Sequence, residues 1–130
     1  MSAGRVVCLG VHIVDVLARP VAEPPISGGR VMVDEVAITA AGTAAGTSVD
    51  LAKLGVDTAV QGAIGGDHLG ELLVGMLESH GVDTSRLVRK HGLQTSVSIL
   101  MIGADGERHT VFRLAGANSH LSLEDVDLDA

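Results

Sequence analysis

Hydrophobic and polar positions follow three kinds of pattern along this chain. The first is the short apolar run closed by glycine. "RVVCLG" (5–10) suits a strand buried on both faces, as in a parallel sheet, and "TAVQGAIG" (58–65) also predicts a strand. The second is helical periodicity. Leu69, Leu72, Leu73, Met76 and Leu77 form one apolar stripe, which predicts a helix within 65–81, capped by Asp67 and ended by Gly81. Ala45, Val49, Ala52 and Leu54 fall near the same spacing, so a second helix is expected over about 44–54, with Gly55 as its stop. The third is the less regular extended segment. Residues 13–21 form one, broken by Pro20, and a turn-rich connection follows at 22–29. Residues 30–39 alternate at Val31 and Val33 and then less regularly, which predicts a half-exposed strand with a bend near Asp34–Glu35. Residues 94–103 and 108–116 flank an Asp-Gly turn signal and are expected to pair as a hairpin. Residues 82–92 receive no element, and the tail from Ala117 reads as a loop and the start of another element.

Strand–helix–strand–helix alternation argues for a parallel α/β sheet. The segments 13–19, 30–39, 94–102 and 108–114 fit that alternation less well and are expected to form a second, smaller, mostly β layer. With 130 residues the chain is long enough for one domain.

Composition narrows the function. Hydrophobic residues make up 46% of the chain, yet Phe112 is the one aromatic residue and the net charge is −7. A nucleic-acid surface wants stacking aromatics and cations, so that class is disfavoured. No apolar run approaches the length of a membrane span, and the start of the chain lacks the pattern of a signal peptide. Cys8 has no possible intrachain disulfide partner and reads as a small buried hydrophobe. A cytoplasmic protein is the expectation.

Two places carry candidate chemistry. "AAGTAAGTSVDLAKLG" (40–55) opens a helix on small residues and glycines. Either the backbone there packs closely against a neighbour, or Gly42 and Gly46 leave room for a ligand beside the N–H groups of the helix start. The stretch lacks the G-K-[ST] ending of a P-loop and the G-x-G-x-x-G spacing of a dinucleotide site. Asp15 interrupts an apolar segment just past the first strand, where open α/β sheets bind ligands. Its carboxylate could accept hydrogen bonds from a polyol or cap its own turn. His12 with Asp15, and Asp67, His68 and Glu71, do not have the spacing of a zinc site, and no G-x-S-x-G nucleophile motif occurs.

Three segments in order resemble the ribokinase-like (PfkB) carbohydrate kinases: "AGTAAGTSVDLAKLG" (41–55), "GAIGGDHLGELLVGMLESHGVDTSRL" (62–87) and "TSVSILMIGADGERHTVFRLAGAN" (95–118). "CLGVHIVD" is similar to the family's start, with Asp15 at the family's Asp. The resemblance covers nearly the whole chain. It implies an α/β body with a small β-sheet lid, formed by about 13–39 and 94–114, over a sugar or nucleoside, and phosphoryl transfer from ATP helped by Mg²⁺. It further implies that Asp15 holds sugar hydroxyls, that Ala41, Gly42, Thr43 and Gly46 let the backbone approach the sugar, and that residues near Phe112 face the site. Association into a homo-oligomer through the lid or an open sheet edge is also implied. Two positions depart from the family signature: Gly46 stands where its Asn belongs, and Ala41 replaces the first Gly of its pair. The family's second signature, Asp-Thr-x-Gly-Ala-Gly-Asp, which supplies the catalytic Asp and an anion hole, does not occur in these residues. The resemblance therefore makes 1–130 the N-terminal, substrate-binding part of such a kinase, without turnover of its own. A non-catalytic module that binds a polyol or a partner is the alternative.

Overall fold

A computed structural model describes residues 4–25 and 28–129. The connection expected at 22–29 therefore lies in part outside the described residues, as do the first three residues and Ala130.

The chain builds two sheets. Strands β1 (Val6–Leu9), β4 (Thr58–Gly65) and β5 (Asp83–Lys90) form a parallel sheet in the order β1-β4-β5. Strands β2 (Ile13–Arg19), β3 (Glu35–Ala41), β6 (Val97–Ile102) and β7 (Arg108–Leu114) form the smaller sheet in the order β3-β2-β6-β7. Helix α1 (Thr43–Lys53) leads from β3 of the small sheet to β4 of the parallel sheet, helix α2 (His68–Ser79) connects β4 to β5 within the parallel sheet, and short 3₁₀ turns at Gly116–His120 and Leu123–Asp125 follow β7. The expected hairpin is present, with Val97 opposite Leu114 and Ile102 opposite Arg108.

The core lies where α1 and α2 cover the parallel sheet. Cys8, Val14, Ala44, Ala45, Val60, Ile64, Leu73, Leu77, Val82 and Leu87 form one buried cluster. All eight residues of β4 are buried because it is the central strand and has a neighbour on each edge. Within the stripe of α2, Leu73 and Leu77 are fully buried, while Leu72 is on the rim. Asp67 caps α2 as expected, its Oδ1 accepting from Gly70 N at 2.9 Å. Thr95 donates to the same carboxylate twice, from its N and from its Oγ1. Burial pushes the Asp67 carboxyl up, but these hydrogen bonds outweigh it and hold the group below the ordinary carboxylate value.

Four expectations need correction. Strand β1 is not buried on both faces. It is an edge strand among the described residues, so Leu9 and Val6 are exposed and only Cys8 reaches the core. The strand expected over 30–39 begins only at Glu35, after a bend at Asp34, because the segment before it has no ladder partner. Residues 83–90 form β5, hidden in the sequence by charges that point outward while Thr84 and Leu87 point inward. Leu54 caps the end of α1 and is largely exposed. The helix instead buries Ala44, Ala45 and Ser48.

Candidate functional site

Strand register decides which residues share a face, since paired residues point to the same side and successive residues to opposite sides. On one face of the small sheet a row runs Thr39–Asp15–Ser98–Arg113 across all four strands. Ile13, Leu17 and Leu100 lie on the same face. The next row on the opposite face is Ile38–Val16–Ile99–Phe112. Phe112 therefore lies on the side away from Asp15 and is largely exposed. The cause is the strict alternation of β6, which puts Ile99 and its partner on the face opposite Ser98.

Asp15 is almost fully buried, with its side chain 7% exposed. Arg108 Nη2 donates to its Oδ2 at 2.7 Å. Arg108 reaches back from the start of β7 across β6, and its own side chain remains 59% exposed. The carboxylate thus has one partnered oxygen.

The start of α1 stands beside this face. Ala41, the last residue of β3, pairs with Ile13, two residues before Asp15 on the same face. Gly42 follows as the helix N-cap with φ 98°, and a Cβ there would overlap the carbonyl oxygen of Val11. Close backbone packing therefore requires this glycine. Ala44 N donates to that same carbonyl at 3.3 Å. Gly46 differs: a Cβ there would meet nothing within 4 Å. The side-chain-poor entrance thus combines both explanations, close packing at Gly42 and open space at Gly46. Thr43, exposed, opens the helix, and Gly42 provides no side-chain cap.

A residue given no role by the sequence reading fixes this corner. Asn118 Nδ2 donates to the His12 carbonyl at 2.7 Å and to Ser96 Oγ at 2.6 Å, and its Oδ1 accepts from His12 N at 3.1 Å. Ser96 Oγ in turn donates to the Ala115 carbonyl. Together these bonds pin the start of β2, and so Asp15, to the segment after β7. A cleft of about 230 Å³ lies beside the clamp, lined by Ile13, Ser96, Arg113 and Asn118 among others. "GAN" (116–118) was visible as the end of a strand, but nothing in its spacing marks a clamp.

His12 is fully buried at the crossover between the sheets. Its Nδ1 faces the Gly10 carbonyl at 2.9 Å, and its Nε2 has no partner. Burial pushes its pKa down to about 4, opposed by the Gly10 bond, so the ring is neutral near pH 7 and Nδ1 carries the hydrogen that Gly10 accepts. Gly62 of β4 leaves the space the ring occupies. His12 is thus a packed core histidine. Among the described residues no group of three or more His, Cys, Asp or Glu is placed to hold a metal ion. No helix among them is long and apolar enough to cross a membrane.

Comparison with known proteins places this architecture. The family model described as "pfkB family carbohydrate kinase" matches residues 3–129. A fructokinase from Solanum tuberosum is 28% identical over 131 residues, which is 99% of this chain and 39% of that protein. A crystal structure of fructokinase with bound ATP from Xylella fastidiosa superposes with a TM-score of 0.73 at 25% identity, covering 95% of this chain and 37% of that one. A ribokinase from Cryptococcus neoformans var. grubii, solved in complex with ADP, gives a TM-score of 0.66 at 27% identity, covering 87% and 35%. The chain spans about two fifths of the length of the curated relatives it matches. With a family match over nearly every residue and a fold shared with sugar kinases of known structure, the chain belongs to the pfkB carbohydrate kinase family.

Proposed function

We propose that these residues form the substrate-binding part of an ATP-dependent kinase for a sugar or nucleoside hydroxyl, with the four-stranded sheet acting as a lid. The observation that carries this reading is the buried Asp15 carboxylate, held beside the Ala41–Gly42–Thr43 entrance of α1. A carboxylate shielded from water is a strong acceptor for substrate hydroxyls, and a helix start with no side-chain cap offers N–H donors to an oxygen. Open space at Gly46, where the family signature has Asn, would alter one substrate contact and make this pocket differ from that of its relatives.

Phosphoryl transfer is chiefly positioning and charge stabilisation. The share of these residues is to bind and orient the acceptor hydroxyl. The resemblance ties ATP and Mg²⁺ to the family's second signature, which does not occur in this sequence. The chain alone is expected to bind substrate without turning it over.

The second face of the lid favours self-association. Ile38, Ile99 and Phe112 lie in one exposed row with Val36 and Leu114 nearby, and apolar groups so exposed mark interaction surfaces. This reading moves Phe112 from the sugar to the interface.

Thermal-shift titration of the chain with a panel of sugars and nucleosides, with and without ATP–Mg²⁺, tests the proposal, because a ligand of the folded state raises its stability. At least one sugar or nucleoside should raise the melting temperature, and Asp15→Asn should weaken its binding by about tenfold or more, as expected for a charge-assisted bond. A wild type that responds to no member of the panel would overturn it.

A further inference from the structure

The row that holds Asp15 is not simply acidic. Arg113 lies two strands away on the same face, with only Ser98 between them. It lines the cleft at the clamp and forms no ion pair among the described residues. Arg108 approaches from the other direction and spends one N–H on Asp15 Oδ2. The neighbouring acid Asp105 does not engage Arg108 and instead accepts from Glu107 N at 3.0 Å. In a chain of net charge −7, this face carries the carboxylates of Asp15 and Glu35 and the guanidiniums of Arg19, Arg108 and Arg113; Arg19 and Glu35 pair with each other, which leaves one carboxylate and two guanidiniums, a local excess of positive charge.

A neutral polyol fits this arrangement poorly. Its hydroxyls must share Asp15 with a guanidinium already bonded there. A guanidinium carries five N–H donors in a planar fork, so an Arg108 that spends one on Asp15 keeps others for a second oxyanion. We propose that the substrate is a polyhydroxylated molecule bearing its own anionic group, a carboxylate or a phosphate, which lies on Arg108 and Arg113 while a hydroxyl donates to the free oxygen of Asp15. This inference rests on the reading of the Asp15 face as the substrate site and names the substrate's class.

Isothermal titration of the chain with fructose, gluconate, fructose 6-phosphate and inorganic phosphate tests it, in low and high salt. One of the two anionic sugars should bind at least about tenfold more tightly than fructose and lose that advantage as salt rises, as a charge-assisted contact does. The tighter of the two identifies the anion. Arg113→Gln should reduce the preference several-fold, and Arg108→Gln should do so as well. Arg113 is exposed, so its variant does not endanger the fold should the loss of Arg108 from buried Asp15 do so. Fructose binding as tightly as both anionic sugars would overturn the inference while leaving a sugar site in place. Inorganic phosphate binding as tightly as fructose 6-phosphate would also overturn it, because the sugar would then contribute nothing. Failure of all four ligands would overturn this inference, while the wider panel of sugars and nucleosides decides separately whether the site beneath it stands.

Discussion

The two sheets of this chain are built on opposite plans. The parallel sheet puts its central strand wholly inside, with Val60, Ala63 and Ile64 buried and α1 and α2 packed over it. The small sheet leaves Val36, Ile38, Ile99 and Phe112 in solvent on one face and places Asp15 and Arg113 on the other. Strand β4 is packed along its whole length, whereas the small sheet is packed at its Val14 end, with Val16, Ala40 and Val97 against the same core, and farther along is held mainly by its ladder hydrogen bonds. On the proposed function, recognition falls to the small sheet while the parallel sheet and its helices hold most of the core, and the seam between them, at His12 and Asn118, ties one to the other.

Substitutions can break this division, and they should do so unequally. Leu77→Ala in the core should cost about 2–5 kcal/mol, the range for a buried leucine with partial collapse of the cavity, as read by urea unfolding. At the seam, acid should act through His12. Its folded pKa of about 4 lies below the ordinary histidine value near 6.5, so the unfolded chain takes up the proton first. Stability should therefore fall as pH drops from about 6.5 to about 4, by an amount on the order of 3 kcal/mol, and the decline should be shallower in His12→Gln, as unfolding curves at a series of pH values would show. Asn118→Ala removes three hydrogen bonds at the same seam and should cost about 1–3 kcal/mol, since it leaves the His12 peptide groups unpaired. It should also weaken substrate binding even though Asn118 lies on the segment after β7. If binding is unchanged, the seam does not position Asp15. Phe112→Ser should change monomer stability by no more than about 0.5 kcal/mol, as expected for an exposed side chain, while lowering self-association in sedimentation or light scattering. A large loss of stability there would mean that the small sheet is packed like the other one.

The division also explains what could be read from the sequence. Both helices, the hairpin and the smaller layer were legible, because Leu73 and Leu77 keep helical spacing and Asp105-Gly106 marks a turn. Strand β5 was not, since a parallel strand with Arg86, Arg89 and Lys90 along it shows only Thr84 and Leu87 to the interior. Asp15 and the entrance at Gly42 stood out as a lone acid in an apolar segment and as a glycine at a helix start. Arg108, Arg113 and Asn118 did not. Their roles come from register and from contacts across 93 to 106 residues of chain, and no local pattern encodes either. The face on which Phe112 lies was hidden for the same reason, because sequence order locates a residue on a strand but not on a face.

The reach of the Asn118 clamp bears on how the protein is made. His12 and Asn118 are 106 positions apart, so β2 leaves the ribosome long before the side chain that fixes its beginning has been synthesised. Pairings of such long separation slow folding, because loop-closure entropy is lost before the contact can compensate for it. The Asp15 corner is therefore expected to be among the last parts of the nascent chain to settle, and a ribosome stalled short of residue 118 would hold a chain whose proposed recognition face has not yet taken shape.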